Sequence, residues 1–265
     1  MKIKKALLLL ALVIAAVALV FVIQSRTGLR SEVILGGADG AFVNSDNLKK
    51  PLDDYDGRIE AEDKYKDLDF PNIDIEDWNY ILINSSHVIK DNTPDVSKVG
   101  DLGVTFDKRA INQLVGLIQA ARQAGFEPYL AKGYVSYTAA IQQINEEATK
   151  LTAGGRLSFE EAVKIATKNS ETPGTSDHQT ALGVDITDKQ YDEYDYSKMN
   201  AKFFEWLDEH CAEYGFIKRY PSDKSGITGV DEPYHYRYVG AVAAKFIMEN
   251  GMCLEEFVDH YDYQK

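Results

Sequence analysis

Two short segments of this chain combine imidazole and carboxylate side chains at spacings that suit a hydrolytic metal centre. Residues 176–185 contain His178, and residues 232–236 contain His235. Such a centre needs three imidazole or carboxylate ligands and leaves one position open for water. A further carboxylate must take a proton from that water and pass it to the leaving group. Both segments are therefore candidates for such a site.

The second segment has the alternation of a β-strand. Tyr234, Tyr236 and Tyr238 share one face of such a strand, whereas His235 lies on the other. Glu232 precedes His235 by three residues, so its carboxylate can approach a metal held by that imidazole without joining the ligand set. Taken alone, however, either histidine is more often a hydrogen-bonded structural residue than a metal ligand, because such spacings also arise by chance.

Hydrophobic periodicity and capping signals predict the elements that must position these segments. We expect helices at about residues 108–124, 139–151, 159–168, 203–214 and 242–248. We expect strands at about residues 80–83, 128–134, 183–187, 216–220 and 234–239. Helices and strands do not alternate regularly. The order therefore favours an α+β fold with a small, mostly antiparallel sheet flanked by helices.

The two segments also resemble the motifs of a known family. Residues 176–185, SDHQTALGVD, resemble the S-x-H-x-x-G-x-x-x-D motif of the VanY-like zinc D-alanyl-D-alanine carboxypeptidases. Residues 232–240, EPYHYRYVG, are similar to that family's E-P-W-H-F/Y-R-Y-V-G block. The stretch between them is similar as well, and the resemblance extends from about Trp78 to Glu256.

The resemblance implies a ligand set and an activity. It implies that one Zn²⁺ ion is held by His178, Asp185 and His235, with Glu232 as the catalytic acid/base. It also implies that Ser176 contacts the substrate. The reaction would be removal of a terminal D-alanine from peptidoglycan stem peptides, with DD- and LD-specificity both open.

Departures from the family pattern fall on the substrate side. The family's S-G-Y-R-S stretch reads KGYVS here, so Val135 stands at the arginine position, and Ala140 stands where a glutamine is usual. Valine cannot replace the charge-assisted contact of a guanidinium. Lys132, Arg219 and Arg237 are the candidates for the missing positive charge. Ala181 stands where the motif has glycine, and no departure affects a zinc ligand.

Composition excludes some partners. The formal net charge is −13 and the sequence pI is about 4.9, so nucleic acid and anionic lipid surfaces would repel the chain. With 45% hydrophobic residues, the chain can form a sizeable core.

The N-terminus has the pattern of a membrane segment. Lysines at positions 2, 4 and 5 precede an apolar run over residues 6–23, which is long enough to cross a bilayer core. We expect an uncleaved single-pass transmembrane helix within residues 1–25, with a cleaved signal peptide as the alternative. The lysines favour a cytoplasmic N-terminus, a cell-membrane location and an extracytoplasmic catalytic domain.

The following residues are acidic and lack a helical or strand period. Residues 46–77 contain twelve Asp or Glu and five Lys or Arg. We therefore expect a stalk over residues 26–77 and a zinc peptidase domain over residues 78–265, although parts of the stalk could equally be a loosely packed extension of that domain.

The two cysteines leave two interpretations open. In an oxidising compartment Cys211 and Cys253 can form a disulfide, and the alternative is two independent buried thiols.

Together these observations predict a membrane-anchored zinc carboxypeptidase that acts on cell-wall peptides. Val135 and Ala140 favour the alternative, a zinc-binding but catalytically weak cell-wall-binding or regulatory protein.

Overall fold

The computed structural model describes residues 64–169 and 172–262. Its strands are β1 (Val96–Lys98), β2 (Thr105–Asp107), β3 (Tyr129–Lys132), β4 (Gly183–Thr187), β5 (Phe216–Tyr220) and β6 (Glu232–Tyr238). Its α-helices are α1 (Ile111–Gln123), α2 (Tyr137–Thr152), α3 (Phe159–Asn169), α4 (Ala201–His210), α5 (Ser225–Thr228), α6 (Ala241–Glu249) and α7 (Leu254–Asp262). Short 3₁₀ helices are Trp78–Tyr80, Asp177–Thr180, Tyr196–Lys198, Cys211–Tyr214 and Ser222–Lys224.

Four strands form one antiparallel sheet in the order β3-β4-β6-β5, and β1 pairs with β2 separately. Asp185 in β4 lies opposite His235 in β6 and, on its other side, opposite Lys132 in β3. Side chains directly opposite each other in an antiparallel pair share one face of the sheet. Residues 132, 185 and 235 therefore lie in a row across three strands.

Two hydrophobic clusters hold this sheet in place. The larger packs α1 and α4 against the sheet, with Leu114, Phe203 and Val184 fully buried. The other packs α6 and α7 around β5, with Ile217 and Phe257 fully buried. The structure thus confirms the α+β class and the small antiparallel sheet flanked by helices.

Side-chain caps fix the start of two helices. The Ser136 hydroxyl accepts a hydrogen bond from the Ala139 amide at 3.1 Å, at the first turn of α2. At α3, the Ser158 amide donates to Glu161 at 2.9 Å and the Glu161 amide donates to Ser158 at 3.3 Å. This reciprocal pair is the capping box that the spacing predicts.

The strand expected at residues 80–83 is absent. These residues follow the 3₁₀ helix Trp78–Tyr80 and have no strand partner. The Arg237 guanidinium donates instead to the carbonyl of Ile81 at 2.8 Å and to that of Asn79 at 3.3 Å. The Arg237 side chain thus binds backbone carbonyls that would pair with a neighbouring strand in a sheet. The apolar content of the segment alone therefore predicted a strand that does not form.

Part of the acidic segment packs against the domain. Tyr65 is 5% exposed, and its hydroxyl donates to Glu256 at 3.1 Å, while Phe70 packs against the cluster around Phe257. The rest of the expected stalk and the N-terminal apolar run lie outside the described residues, so the division into anchor, stalk and peptidase domain stays a prediction. Among the residues described, none of the helices is long and apolar enough to cross a membrane.

Cys211 and Cys253 are both free and fully buried, so the alternative of two separate thiols is the observed one. Burial raises the pKa of the Cys211 thiol to about 12.

Candidate metal centre

Three side chains converge from a short helix and two neighbouring strands. His178 lies in the 3₁₀ helix Asp177–Thr180, Asp185 in β4 and His235 in β6. The β4–β6 register places Asp185 beside His235, and the turn that leads into β4 brings His178 over both. One potential ligand atom from each residue lies within 4.8 Å of the other two. The structure thus brings together all three residues that the resemblance implied.

The distances and the donor set fit one zinc ion. The His178 Nε2 atom lies 3.4 Å from Asp185 Oδ1, and His235 Nδ1 lies 2.8 Å from the same oxygen. Tetrahedral zinc with bonds of about 2.0–2.1 Å separates its donors by roughly 3.3 Å, so only small shifts are needed. Two imidazoles and one carboxylate are the ligands of a catalytic zinc that keeps a fourth position open. All three side chains are buried.

The turn that carries His178 is held by its own backbone. The His178 amide donates to the Ser176 hydroxyl at 3.3 Å, and the His178 carbonyl accepts from Ala181 at 3.2 Å and from Val135 at 3.3 Å. Ala181 adopts a left-handed conformation with φ 60°, where a Cβ is disfavoured. The glycine usual at this position of the motif meets the same backbone requirement without a side chain.

Opposite charges set the protonation of the site. Burial alone would raise the pKa of the Asp185 carboxyl, but His178 and His235 hold that pKa well below its usual range. Burial alone would lower the pKa of the His235 imidazole, but hydrogen bonds to Asp177 and Asp185 raise it to about 10. To hold zinc, His235 would have to lose this proton, because only the neutral ring can act as a ligand.

Four charged side chains form a buried network behind His235, here called the charge network: Asp177, Arg219, Arg237 and Glu255. All four are at most 2% exposed. Arg219 donates to both oxygens of Glu255 at 2.7 Å, and Arg237 donates to Asp177. The roles of Asp177 and Glu255 were not predicted from the sequence. The only available signal was indirect: Arg219 and Arg237 lie within strands β5 and β6 and need anionic partners if they are buried.

Comparisons with known proteins decide the family. The family model described as VanY, D-alanyl-D-alanine carboxypeptidase, matches residues 103–241. A D-alanyl-D-alanine carboxypeptidase of Enterococcus faecalis is 36% identical over 187 residues, covering 70% of this chain and 68% of that protein. This chain belongs to the VanY family.

Solved structures of the VanY family agree with this fold. A crystal structure of a VanY mutant from a VanB-type vancomycin-resistance cassette, in complex with Zn(II), is 35% identical with a TM-score of 0.56, covering 69% of this chain and 99% of that chain. The LdcB LD-carboxypeptidase is 27% identical with a TM-score of 0.56, covering 71% of this chain and 92% of that chain. Family and donor set together make this chain a zinc metallocarboxypeptidase with one Zn²⁺.

The position of the VanY-family arginine borders the metal site. Val135 occupies it, and its amide donates to the carbonyl of the candidate ligand His178. Ala140, at the family's glutamine position, is buried within α2. Of the three candidates for the missing charge, Arg219 and Arg237 are excluded because both are buried and paired with carboxylates. Lys132 is half-buried and lies opposite Asp185 in the sheet.

The remaining expected site residues lie at the ends of the same elements. Glu232 is the first residue of β6, half-buried, and it pairs with Tyr220 of β5. The Tyr220 ring lies 5.0 Å from the ring of His235, so this end of β6 adjoins the metal ligands. Ser176 is buried and precedes the turn of His178. The catalytic and substrate-binding roles of these residues remain predictions.

Proposed function

We propose that this chain is a peptidoglycan carboxypeptidase that removes the terminal D-alanine from stem peptides. The observation that supports this most is the buried convergence of His178, Asp185 and His235 in a chain of the VanY family. Its relative in Enterococcus faecalis carries the name of that activity.

The chain's own residues supply the proton transfers in this proposal. His178, Asp185 and His235 would hold the zinc ion, which when bound would supply a Lewis acid for the scissile carbonyl and for the attacking water. Glu232 accepts a proton from the attacking water, whose oxygen then adds to the carbonyl carbon of the peptide. As the C–N bond breaks, Glu232 returns the proton to the departing amine of D-alanine. Ser176 would contact the substrate beside His178.

Lys132 is our candidate for the cation that holds the substrate's terminal carboxylate. The β3–β4 register places it on the same sheet face as the ligand Asp185. Lys132 stands where the family's stretch has serine, and Val135, three residues later, stands where it has arginine. This stretch therefore keeps one positive charge. An ammonium group gives a point charge rather than a planar fork, and we expect looser recognition than with arginine.

The test is to incubate the full-length protein with stem pentapeptide and stem tetrapeptide, with zinc and with a chelator. Release of D-alanine from the pentapeptide, lost with chelator and in Glu232→Ala, supports the proposal. Asp231→Asn is a matched control, because this neighbouring carboxylate is exposed and contacts only Ser222 among the described contacts. Release from the tetrapeptide alone would instead assign LD-specificity.

A second candidate is a zinc-binding cell-wall-binding or regulatory protein with weak or no catalysis. Val135 beside His178 favours it, because the guanidinium that the VanY-family motif places there is missing. Stoichiometric zinc without D-alanine release from either peptide would support this function over hydrolysis.

We further propose that the catalytic domain lies outside the cytoplasm, anchored by the apolar run at residues 6–23. The proposed substrate lies on that side of the membrane. External protease should degrade the domain in cells without a wall while leaving cytoplasmic markers intact, and protection from protease would overturn this location.

A further inference from the structure

The two ring nitrogens of His235 face two different carboxylates. The Nδ1 atom lies 2.8 Å from Asp185, a ligand of the proposed zinc, and Nε2 lies 3.3 Å from Oδ2 of Asp177. Asp177 is 1% exposed, and its carboxyl has no role in the reaction as described above. The ring is thus held between the metal site on one side and a buried anion on the other.

Two arginines fix the Asp177 carboxylate. Arg237 donates to Asp177 Oδ1, and Arg219 Nε lies 3.7 Å from the same oxygen. Arg237 is itself held by the carbonyls of residues 79 and 81, and Arg219 by both oxygens of Glu255. Because Oδ1 faces the arginines, Oδ2 remains directed at His235. These four buried side chains carry two positive and two negative charges, which balance.

Gly183 gives independent evidence that this contact is built into the fold. A Cβ at position 183 would lie 2.7 Å from His235 Nε2 and 2.9 Å from Asp177 Oδ2. Both distances are shorter than a Cβ tolerates, so any larger residue would push the imidazole and the carboxylate apart. The absence of a side chain in β4 leaves the room in which they meet.

We propose that Asp177 is a positioning residue of the metal centre. It accepts a hydrogen bond from the Nε2–H group of His235 and so keeps Nδ1, the nitrogen beside Asp185, deprotonated and presented as the ligand atom. A carboxylate behind a metal-binding imidazole fixes the tautomer and the ring orientation and makes the ligand more basic. The inference rests on the proposed zinc site, but it concerns metal binding and not peptide hydrolysis.

The test compares Asp177→Asn with Glu255→Gln in the full-length protein. Both changes remove one negative charge from the charge network, but only Asp177 contacts a metal ligand. Dissociation constants for zinc are measured by chelator competition in the absence of substrate. We expect Asp177→Asn to weaken zinc binding about 10- to 100-fold, as removal of such partners does elsewhere. Glu255→Gln should leave the affinity close to that of the unchanged protein.

An equal loss in both variants, or no loss in Asp177→Asn, would overturn the proposal. If Asp177→Asn does not fold, the tautomer of His235 decides the question in the unchanged protein. Long-range ¹H–¹⁵N NMR of the zinc-loaded form should show a proton on Nε2 and the metal on Nδ1. A proton on Nδ1 would exclude the proposed role. These measurements stand even if no peptide is cleaved, so they separate failure of this inference from failure of the proposed activity.

Discussion

The metal-binding side and the substrate side of this site are built differently. The three candidate metal ligands are buried, the register of β4 and β6 aligns two of them, and a balanced set of buried charges lies behind them. The proposed substrate side contains Val135 and the half-buried Lys132, at the end of β3 where the register shifts. Metal binding depends on donors within fractions of an ångström, whereas recognition of a carboxylate tolerates a cation at several positions. The residues that would hold the metal can therefore stay in place while those that recognise the substrate change.

Loss of one candidate ligand on the metal-binding side should have the largest effect. His178→Ala should abolish stoichiometric zinc and reduce D-alanine release to the level of chelator-treated protein, since two ligands do not retain a catalytic zinc. Zinc content by mass spectrometry and turnover are measured together. His210→Ala is the control, because that ring contacts Glu213 and lies outside the site. Retained zinc in His178→Ala would remove His178 from the ligand set.

Competition between zinc and a proton for His235 should give the next largest effect, a dependence of zinc affinity on pH. Its pKa is raised from 6.5 to about 10, so the ring is charged near neutral pH in metal-free protein. Apparent zinc affinity should therefore rise by up to about tenfold per pH unit from pH 7 to pH 9, with release of a proton on binding. Calorimetry in buffers of different ionisation enthalpy measures that proton, and binding without proton release would contradict the prediction.

The same shift affects the stability of the metal-free fold. A raised pKa means that the charged imidazole stabilises the folded state. That contribution is complete below pH 6.5 and is lost as the pH rises towards about 10. Metal-free protein should therefore lose stability over this range, and the zinc-loaded protein should lose less. Thermal unfolding of both forms across the range checks this expectation.

On the substrate side we expect a smaller effect. Lys132→Met should lower kcat/KM by roughly 10- to 100-fold, the value of one charge-assisted contact, and leave zinc affinity unchanged. Adding Val135→Arg to Lys132→Met should restore part of the loss, because it returns a cation beside His178. The exposed Lys98 provides the control Lys98→Met. An unchanged kcat/KM in Lys132→Met would place the substrate's carboxylate contact elsewhere.

The smallest effect concerns the turn that carries His178. Ala181→Gly relieves a left-handed backbone and should stabilise the protein by about 1 kcal/mol, which raises Tm by roughly 2–4 °C. Ala153→Gly, at a right-handed helix end, should give no such gain. Equal shifts in the two variants would mean that the left-handed conformation stores no strain.

The resemblance to the family's motifs predicted the ligand set, whereas the spacing of the residues alone left a structural role open for both histidines. His178 and Asp185 lie seven residues apart, and the turn and strand between them place both at one point. Asp177 was not recognised, because its role depends on Arg237, which lies 60 residues away in the chain. Arg219 and Arg237 looked like candidates for substrate binding because a strand pattern does not show which carboxylate a buried cation meets. The strand predicted at residues 80–83 was wrong for the same reason, because the local pattern does not show that Arg237 binds the carbonyl of Ile81.

The charge network also constrains the order in which parts of the molecule can fold. Its contacts extend from the carbonyls of residues 79 and 81, which Arg237 binds, to Glu255 on the last helix that the structure describes. Contacts this far apart in the chain form late in folding, because they require closure of long loops. A nascent chain that ends before residue 255 leaves the Arg219 guanidinium without its bidentate partner. Closure of the charge network should therefore follow synthesis and docking of helix α7.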